Sequence, residues 1–467
     1  MRLRQGFDVV VVGGGTAGAI AGIAAARTGA KTLLVEQYGT LGGVLTLGMS
    51  LKGVNDGEGV PALGGIGAEL IDGMRDMGGA TIVTQHPRHG SIMGQDPEML
   101  KLRLIEMAQA SGLKLLFHSY LVDTLTQDGT VQAIRVANKA GLEVIPAACF
   151  VDCTGDGDLA ALSGARFSYG REGDSLVQPV SAIFRVGGVD LDRTWAYLEA
   201  HPEDFELPPD QQGGTSSIAE FRKQPGVGVA GFGALIRKAR AAGDYTIPRD
   251  YFGFNPLPGR NEVTINITRV HGIRGTDPDD LTRAEVETQL QILEGTRFLR
   301  KYVPGFGGCY IVSTPFQVGV RETRHILGEY VLTAEDVMGG RDFPDQVARG
   351  AYPLDIHDVG APSGAAKVGG TDLSKIMRSY GVPARTLLPE GLENVVVAGR
   401  AISATHAASA SARGQPVCMA TGHAAGTMAA LAALKGVPPR ALDIGEVQSM
   451  LRGQGQVVER EGSRAAA

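Results

Sequence analysis

The chain has 467 residues, 44 Lys and Arg against 50 Asp and Glu, a net charge of −6, and a hydrophobic share of 43%. That length builds two or three domains around a large core, while the acidic balance argues against a nucleic-acid surface. No stretch reaches the roughly 18 consecutive apolar residues that a membrane span requires, and no membrane span is expected.

The N-terminus, MRLRQGFDVVVV, has the flavour of a secretory leader, but Asp8 interrupts it and its apolar run ends at glycine. Val9–Val12 is a β-branched run of the kind that forms a strand buried on both faces of a parallel sheet. Gly13, Gly15 and Gly18 follow as G-x-G-x-x-G, with Thr16 and Ala17 between them, and Ala19–Arg27 reads as a helix. In that arrangement Gly13 allows the tight turn, Gly15 admits a pyrophosphate, and Gly18 lets helix and strand pack closely. The free N–H groups of the helix start then face the phosphates. A second strand, Lys31–Val35, ends at Glu36, placed to accept hydrogen bonds from a ribose and to repel a 2′-phosphate. Strand, glycines, helix, strand and acid within about thirty residues form a far more specific signal than the glycines alone.

QYGTLGGVLT then reads as a glycine-rich loop and Lys101–Ser111 as a helix. Leu113–Phe117, Leu121–Thr126, Val131–Ala137 and Leu142–Pro146, separated by turn signals, predict an antiparallel meander. Another apolar strand over 150–152 runs into the turn Thr154-Gly155-Asp156-Gly157. From about residue 166 to 385 a second, substrate-facing α+β domain is expected, with strands at Ser181–Val186, Glu262–Val270 and Tyr310–Thr314. Its helices are Leu191–Ala200 and Leu281–Tyr302, the latter opened by Asp277-Pro278-Asp279-Asp280. GVGVAGFG at 226–233 repeats the glycine pattern, but a charged, proline-ended segment precedes it, and an ordinary amphipathic helix over Phe232–Ala242 is the better reading. LENVVVAGRAISATH is one more buried strand. Pro416–Leu434 is a long helix with proline in its first turn, and 453–467 reads as a polar tail. Cys149, Cys153, Cys309 and Cys418 are scattered without a C-x-x-C pair. They suit neither zinc nor an iron–sulfur cluster, and fit a reducing, cytoplasmic setting.

An NAD domain would continue βαβαβ after Glu36, whereas here a meander intervenes and two distant strand–turn units return to the sheet. The stretches DVVVVGGGTAGAIAGIAAARTGAKTLLVEQYGTLGG, VDCTGDGDLAALSGA, GTDPDDLTRAEVE, GVRETRHILGEYVLTAEDV, ARGAYPLDIHD and NVVVAGRAISATHAA together carry a resemblance. Over residues 6–452 the chain resembles the bacterial FAD-dependent oxidoreductase family of the glutathione-reductase-like flavoprotein superfamily. The fold class this implies is α/β: a Rossmann-like FAD-binding domain, parallel sheet plus antiparallel β-meander, with an inserted α+β substrate domain. Residues 1–165 and 386–452 would form the FAD-binding domain and 166–385 the substrate domain. The resemblance places Gly13, Gly15, Thr16, Ala17 and Gly18 on the pyrophosphate and Glu36 on the adenosine ribose. It places Gly42, Gly43 and Thr46 along the phosphates and ribityl chain, and Thr154, Gly155 and Asp156 over the cofactor. Gly399 and Arg400 fall at the ribityl and phosphate region, where many superfamily members carry Gly-Asp. The helix starting near Pro416 and Val417 would aim its positive end at the flavin. Plain alternatives stand beside these roles: strand-end turns at Gly42-Gly43 and Thr154–Asp156, a solvated Glu36, and a surface cation at Arg400.

FAD is therefore the expected cofactor, held without a covalent bond, and the protein must place a substrate over it and handle a proton. In AYPLDIHDVG the alternation puts Asp355 and His357 on one face, a carboxylate beside an imidazole as a general base requires. The other catalytic candidates are His406, against a role in helix packing, and Arg413, a clamp for a carboxylate, against structural ion pairing. Arg321 and Arg324 are read mainly as ion-pair partners of Glu322 or Glu329. The function expected is two-electron, hydride-type dehydrogenation or reduction of a small polar substrate, possibly carboxylate-bearing. The alternatives are a flavin-bearing electron-transfer subunit, a tRNA-binding flavoprotein, and, last, a flavin-free binding module. The expected partners are a small-molecule substrate and an electron acceptor or donor among oxygen, quinone, NAD(P) and a protein; no metal is expected, and the residues leave the oligomeric state open.

Overall fold

Four consecutive valines, all at 3% exposure or less, are buried because strands flank them on both sides. A computed structural model describes residues 2–86, 89–205, 218–224, 226–357, 359 and 376–461. In chain order, β1 is Val9–Val12, α1 Thr16–Arg27, β2 Thr32–Val35, β3 Lys114–Leu116, β4 Tyr120–Gln127, β5 Thr130–Asn138, β6 Gly141–Pro146 and β7 Cys149–Asp152. There follow β8 Phe184–Gly187, β9 Val229–Gly231, β10 Phe252–Pro256, β11 Glu262–Asn266, α2 Pro278–Tyr302, β12 Tyr310–Ser313, β13 Val395–Val397, α3 His406–Ala412 and α4 Gln415–Lys435.

The first sheet has the order β13-β7-β1-β2-β3, and every neighbouring pair in it is parallel. This is a Rossmann-like α/β fold, with the sheet's edge strand β13 contributed from nearly four hundred residues downstream. The meander differs from expectation by one strand. β4, β5 and β6 form it, whereas Leu113–Phe117 supplies β3, which runs parallel beside β2. Its alternation is too short to reveal which edge it joins, and the empty edge of β2 decides.

α1 and α4 pack backbone to backbone across this sheet. A Cβ on Gly422 would lie 2.2 Å from the Ala17 carbonyl oxygen, and one on Gly426 would lie 2.1 Å from that of Ala21. The two glycines on one face of α4 therefore set the close approach. Among the described residues α4 is the one helix long and apolar enough to cross a membrane, and 89% of its apolar window is buried inside the protein.

The inserted sheet is antiparallel, β9-β10-β11-β8-β12, with α2 packed on it through Ile292, Phe298 and Leu299. Its separate core runs from Ala182 to Cys309, with Ile92 added. Buried residues between Ile326 and Ala384, such as Leu332, Val347 and Tyr380, which the sequence reading grouped with the substrate domain, pack into the first core with α1 and α4. Gly233–Ala241 is a helix, as read. The segment 453–461 is not a loose polar tail. Gln454 meets His423 and Thr427 at 2.8 and 3.1 Å, and Arg460 donates to the buried Asp56 at 2.8 Å. Arg460 is buried because it has a buried polar partner, and Gln454 is half-buried against the buried His423 and Thr427. The rest of the expected tail, 462–467, lies outside the described residues.

Candidate active site

A cavity of about 880 Å³ runs between the two cores, from the glycine loop after β1 to an arginine-rich wall of the inserted domain. At its nucleotide end the three glycines serve three purposes. Gly13 has φ +92° and a Cβ there would lie 2.4 Å from the Cys153 carbonyl oxygen, while a Cβ on Gly18 would lie 1.7 Å from that of Gly13. Gly15 is different: nothing lies within 4 Å of its Cβ position, so the space in front of it belongs to the cavity. Thr16 and Ala17 line the same wall at the start of α1, where unpaired N–H groups suit a phosphate.

Glu36 lines the cavity, and its carboxylate accepts from the Gly14 and Tyr38 amides at 2.5 and 2.8 Å. Burial raises its pKa, with those amides pulling the other way. The Gly42 amide donates to the Gly14 carbonyl at 2.8 Å, and a Cβ on Gly43 would sit 2.9 Å from Gly15 Cα. Gly43 lines the cavity; Gly42 and Thr46 stand behind it, the Thr46 hydroxyl donating to the Gly43 carbonyl at 2.8 Å.

Asp152, at the end of β7, shapes the next turn. It accepts from the amide and hydroxyl of Thr154 at 3.0 and 2.8 Å and from the Ala160 amide at 2.8 Å. Thr154, Gly155 and Asp156 then line the cavity. Arg400 is no surface cation: it lines the cavity too, pairing with Asp156 at 2.8 Å and donating to the Thr323 hydroxyl at 3.0 Å. Gly399, beside it, donates to Thr421 on α4 at 3.2 Å. At the start of α4 the cavity is lined by Gly414, Gln415 and Cys418. Pro416 and Val417 do not reach it. Pro416 fixes the first turn and Val417 is fully buried.

The far end is built from the segment before β10, from the strand-like 352–357, and from the turn between α3 and α4. Tyr352 donates to Asp355 at 2.8 Å. His357 Nε2 lies 3.3 Å from the same carboxylate, and its Nδ1 accepts from Arg269 at 3.1 Å. Leu354 and Ile356 are buried on the opposite face, as the alternation requires. Burial outweighs the upward pull of the Asp355 carboxylate on the imidazole pKa and lowers it to about 3, with Arg321 and Arg413 adding to the effect. Burial works to raise the Asp355 pKa, but His357, Arg413 and Tyr352 bring it well below the usual carboxylate range.

Arg413 donates to the Asp355 carbonyl at 2.7 Å and to Gln178 at 3.3 Å. Arg321 has no ion pair with Glu322 or Glu329. It donates to the Pro179 carbonyl and to Ser181 and faces the cavity; Arg324 pairs with Asp158 at 2.8 Å. Glu322 is taken by two buried histidines, His325 and His406, at 2.9 and 2.7 Å. Burial works to raise its pKa, but these hydrogen bonds lower it to about 2. His406 is thereby held away from the cavity and is not among its lining residues.

A phosphate cradle at a helix start, an acid beyond the second strand and a second helix start at the far wall fit a flavin dinucleotide. Residues 8–451 match the FAD dependent oxidoreductase family. The chain belongs to that family. FAD is its cofactor, and it is an enzyme.

Several solved structures are similar to the chain at low identity. A geranylgeranyl bacteriochlorophyll reductase-like protein from Thermoplasma acidophilum is 13% identical, with TM-score 0.44 over 98% of this chain and 85% of its own. The myxobacterial chondrochloren halogenase CndH is 12% identical, with TM-score 0.46 over 96% and 78%. The p-nitrophenol 4-monooxygenase from Pseudomonas putida DLL-E4 is 12% identical, with TM-score 0.47 over 96% and 84%.

In this family member the sequence reading missed Asp152, Thr323, Tyr352 and Arg249. Asp152 and Tyr352 carried a signal, since each stands within a stretch already singled out. Thr323 also stands within such a stretch, and its hydroxyl reaches the cavity-lining Arg400 and Asp156. Arg249 carried no signal, because only the fold brings it to the cavity.

Proposed function

We propose that this flavoprotein transfers a hydride between FAD and a small, carboxylate-bearing substrate held at the arginine wall. The observation that carries the reading is the single cavity joining the Gly15 cradle to Arg321, Arg413 and the Tyr352–Asp355 pair. FAD, when bound without a covalent link, supplies the two-electron chemistry. Arg321 and Arg413 offer planar donor forks to a carboxylate and fix the substrate's orientation. The Tyr352 phenol is kept protonated, burial above all raising its pKa. Its Oη is the atom we assign to proton exchange with the substrate. In oxidation it takes the substrate's proton as it passes its own along the hydrogen bond to the Asp355 carboxylate, and in reduction both transfers reverse.

His357 is a positioning residue in this scheme. With one ring nitrogen accepting from Arg269 and the other facing Asp355, it stays neutral and holds the carboxylate. His406 has the same kind of duty toward Glu322.

The test begins with the visible spectrum of the purified protein before and after acid precipitation, where flavin released to the supernatant is expected. Anaerobic mixing with a panel of small saturated and 2-hydroxy carboxylates should then bleach the flavin bands. Tyr352→Phe should slow that bleaching at least about tenfold while leaving bound flavin unchanged. If no carboxylate bleaches the flavin, and none reoxidises the chemically reduced protein, the reading fails.

A further inference from the structure

Among the described residues the far end of the cavity holds more positive charge than one carboxylate would balance: Arg249, Arg321 and Arg413 all line it. Among the described residues Asp355 is the one carboxylate at that end, and it already serves Tyr352, His357 and, at 3.8 Å, Arg413. The other lining acids belong to the nucleotide end: Glu36 holds backbone amides, Asp156 and Asp158 pair with Arg400 and Arg324, and Glu285 accepts from the Val318 amide.

Arg249 is the telling member. It is 2% exposed, yet among the described residues it has no ion pair. Its Nη1 donates to the Asn266 side chain at 2.7 Å, its guanidinium lies 5.0 Å from the Tyr251 ring centre, and its Nε is buried without a partner. The Arg413 Nε is in the same state. A buried guanidinium without a counter-charge is costly, and a bound anion removes that cost. Arg321 reports the crowding. Burial first, then repulsion from Arg413, Arg269 and Arg249, lowers its pKa to about 9.

We infer that the substrate carries two anionic groups, one held by Arg321 and Arg413 and the other by Arg249. This rests on the hydride-transfer reading for the location of the reacting carbon, though not for the binding itself. Arg249 comes from the loop before β10, while Arg413 comes from the turn before α4, so the two charges would sit on different parts of one small molecule. A dicarboxylate, or a carboxylate bearing a phosphate, has this chemistry.

The experiment is calorimetric titration of the FAD-loaded protein with succinate, glutarate and phosphoglycolate, and with butyrate as the single-charge control. At least one dianion should bind about tenfold or more tightly than butyrate, a difference of about 1.4 kcal/mol. Preference for phosphoglycolate over both dicarboxylates would identify the second group as a phosphate, and the reverse a carboxylate. Arg249→Gln should erase the difference between dianion and butyrate, and Arg249→Lys should keep part of it. Retained flavin absorbance and an unchanged melting temperature show that a variant is folded. Equal affinity for dianions and butyrate, a preference that survives Arg249→Gln, or no binding by any of the four would overturn the inference. The hydride-transfer reading fails differently: tight dianion binding with no bleaching by any carboxylate would leave this site standing and remove only the assigned reaction.

Discussion

At the level of single residues, Gly15 and Gly18 look alike in the motif and differ in what surrounds them. A side chain on Gly15 would meet only open cavity, so Gly15→Val should leave the melting temperature of the FAD-free protein unchanged. Its FAD affinity should fall by at least about tenfold, because the side chain occupies the phosphate's place. Gly18→Ala should do the opposite first. Its methyl would lie 1.7 Å from the Gly13 carbonyl oxygen, so strand and helix must part, and thermal melting should fall by several degrees. Scanning fluorimetry with and without added FAD separates the two. The same contrast explains what the sequence could disclose. The glycine spacing and Glu36 were legible because their partners lie within one βαβ unit. The Asp156–Thr323–Arg400 cluster was not, since its members stand 77 and 167 residues apart along the chain and share no local pattern.

Among the elements, α4 carries both a cofactor-facing end and a buried titratable group. Its start, at Gly414 and Gln415, lines the cavity, and the positive end of a helix favours negative charge nearby. Gln415→Glu should therefore make the flavin midpoint potential more negative, by about 20 mV per kcal/mol of lost stabilisation for a two-electron couple. Spectroelectrochemistry reads this directly. Further along the same helix, burial lowers the pKa of His423 to about 4 from 6.5. Between those values the unfolded chain binds a proton that the folded chain refuses, so stability is full above about pH 6.5 and falls as pH drops toward 4. His357 adds to the same loss over a window reaching about pH 3. His423→Gln should flatten the decline of melting temperature between pH 7 and pH 4.5, compared with the parent protein. The helix itself was legible from composition. The strand β3 was misplaced because its neighbour is chosen by the whole sheet rather than by its own three residues.

For the molecule as a whole, the segment after α4 closes the first core. Arg460 is buried against Asp56, which is fully buried, and the pair ties the end of the chain to the loop before residue 60. Arg460→Ala would strand that carboxylate, at a cost of about 3 kcal/mol, and the melting temperature should drop by several degrees in FAD-free and FAD-loaded protein alike. Deleting 454–467 should do at least as much, which a loose tail would not.

The strand order of the parallel sheet also has a temporal meaning. β1 lies second from the edge strand β13, and α1 rests on glycines at positions 422 and 426. The phosphate loop is synthesised well before α4 and β13, the elements that hold it in shape. At about 5–20 residues per second, the nascent chain carries an unfinished nucleotide cradle for roughly half a minute. Cofactor seating must therefore follow synthesis of α4 and β13 rather than guide the folding of β1 and α1.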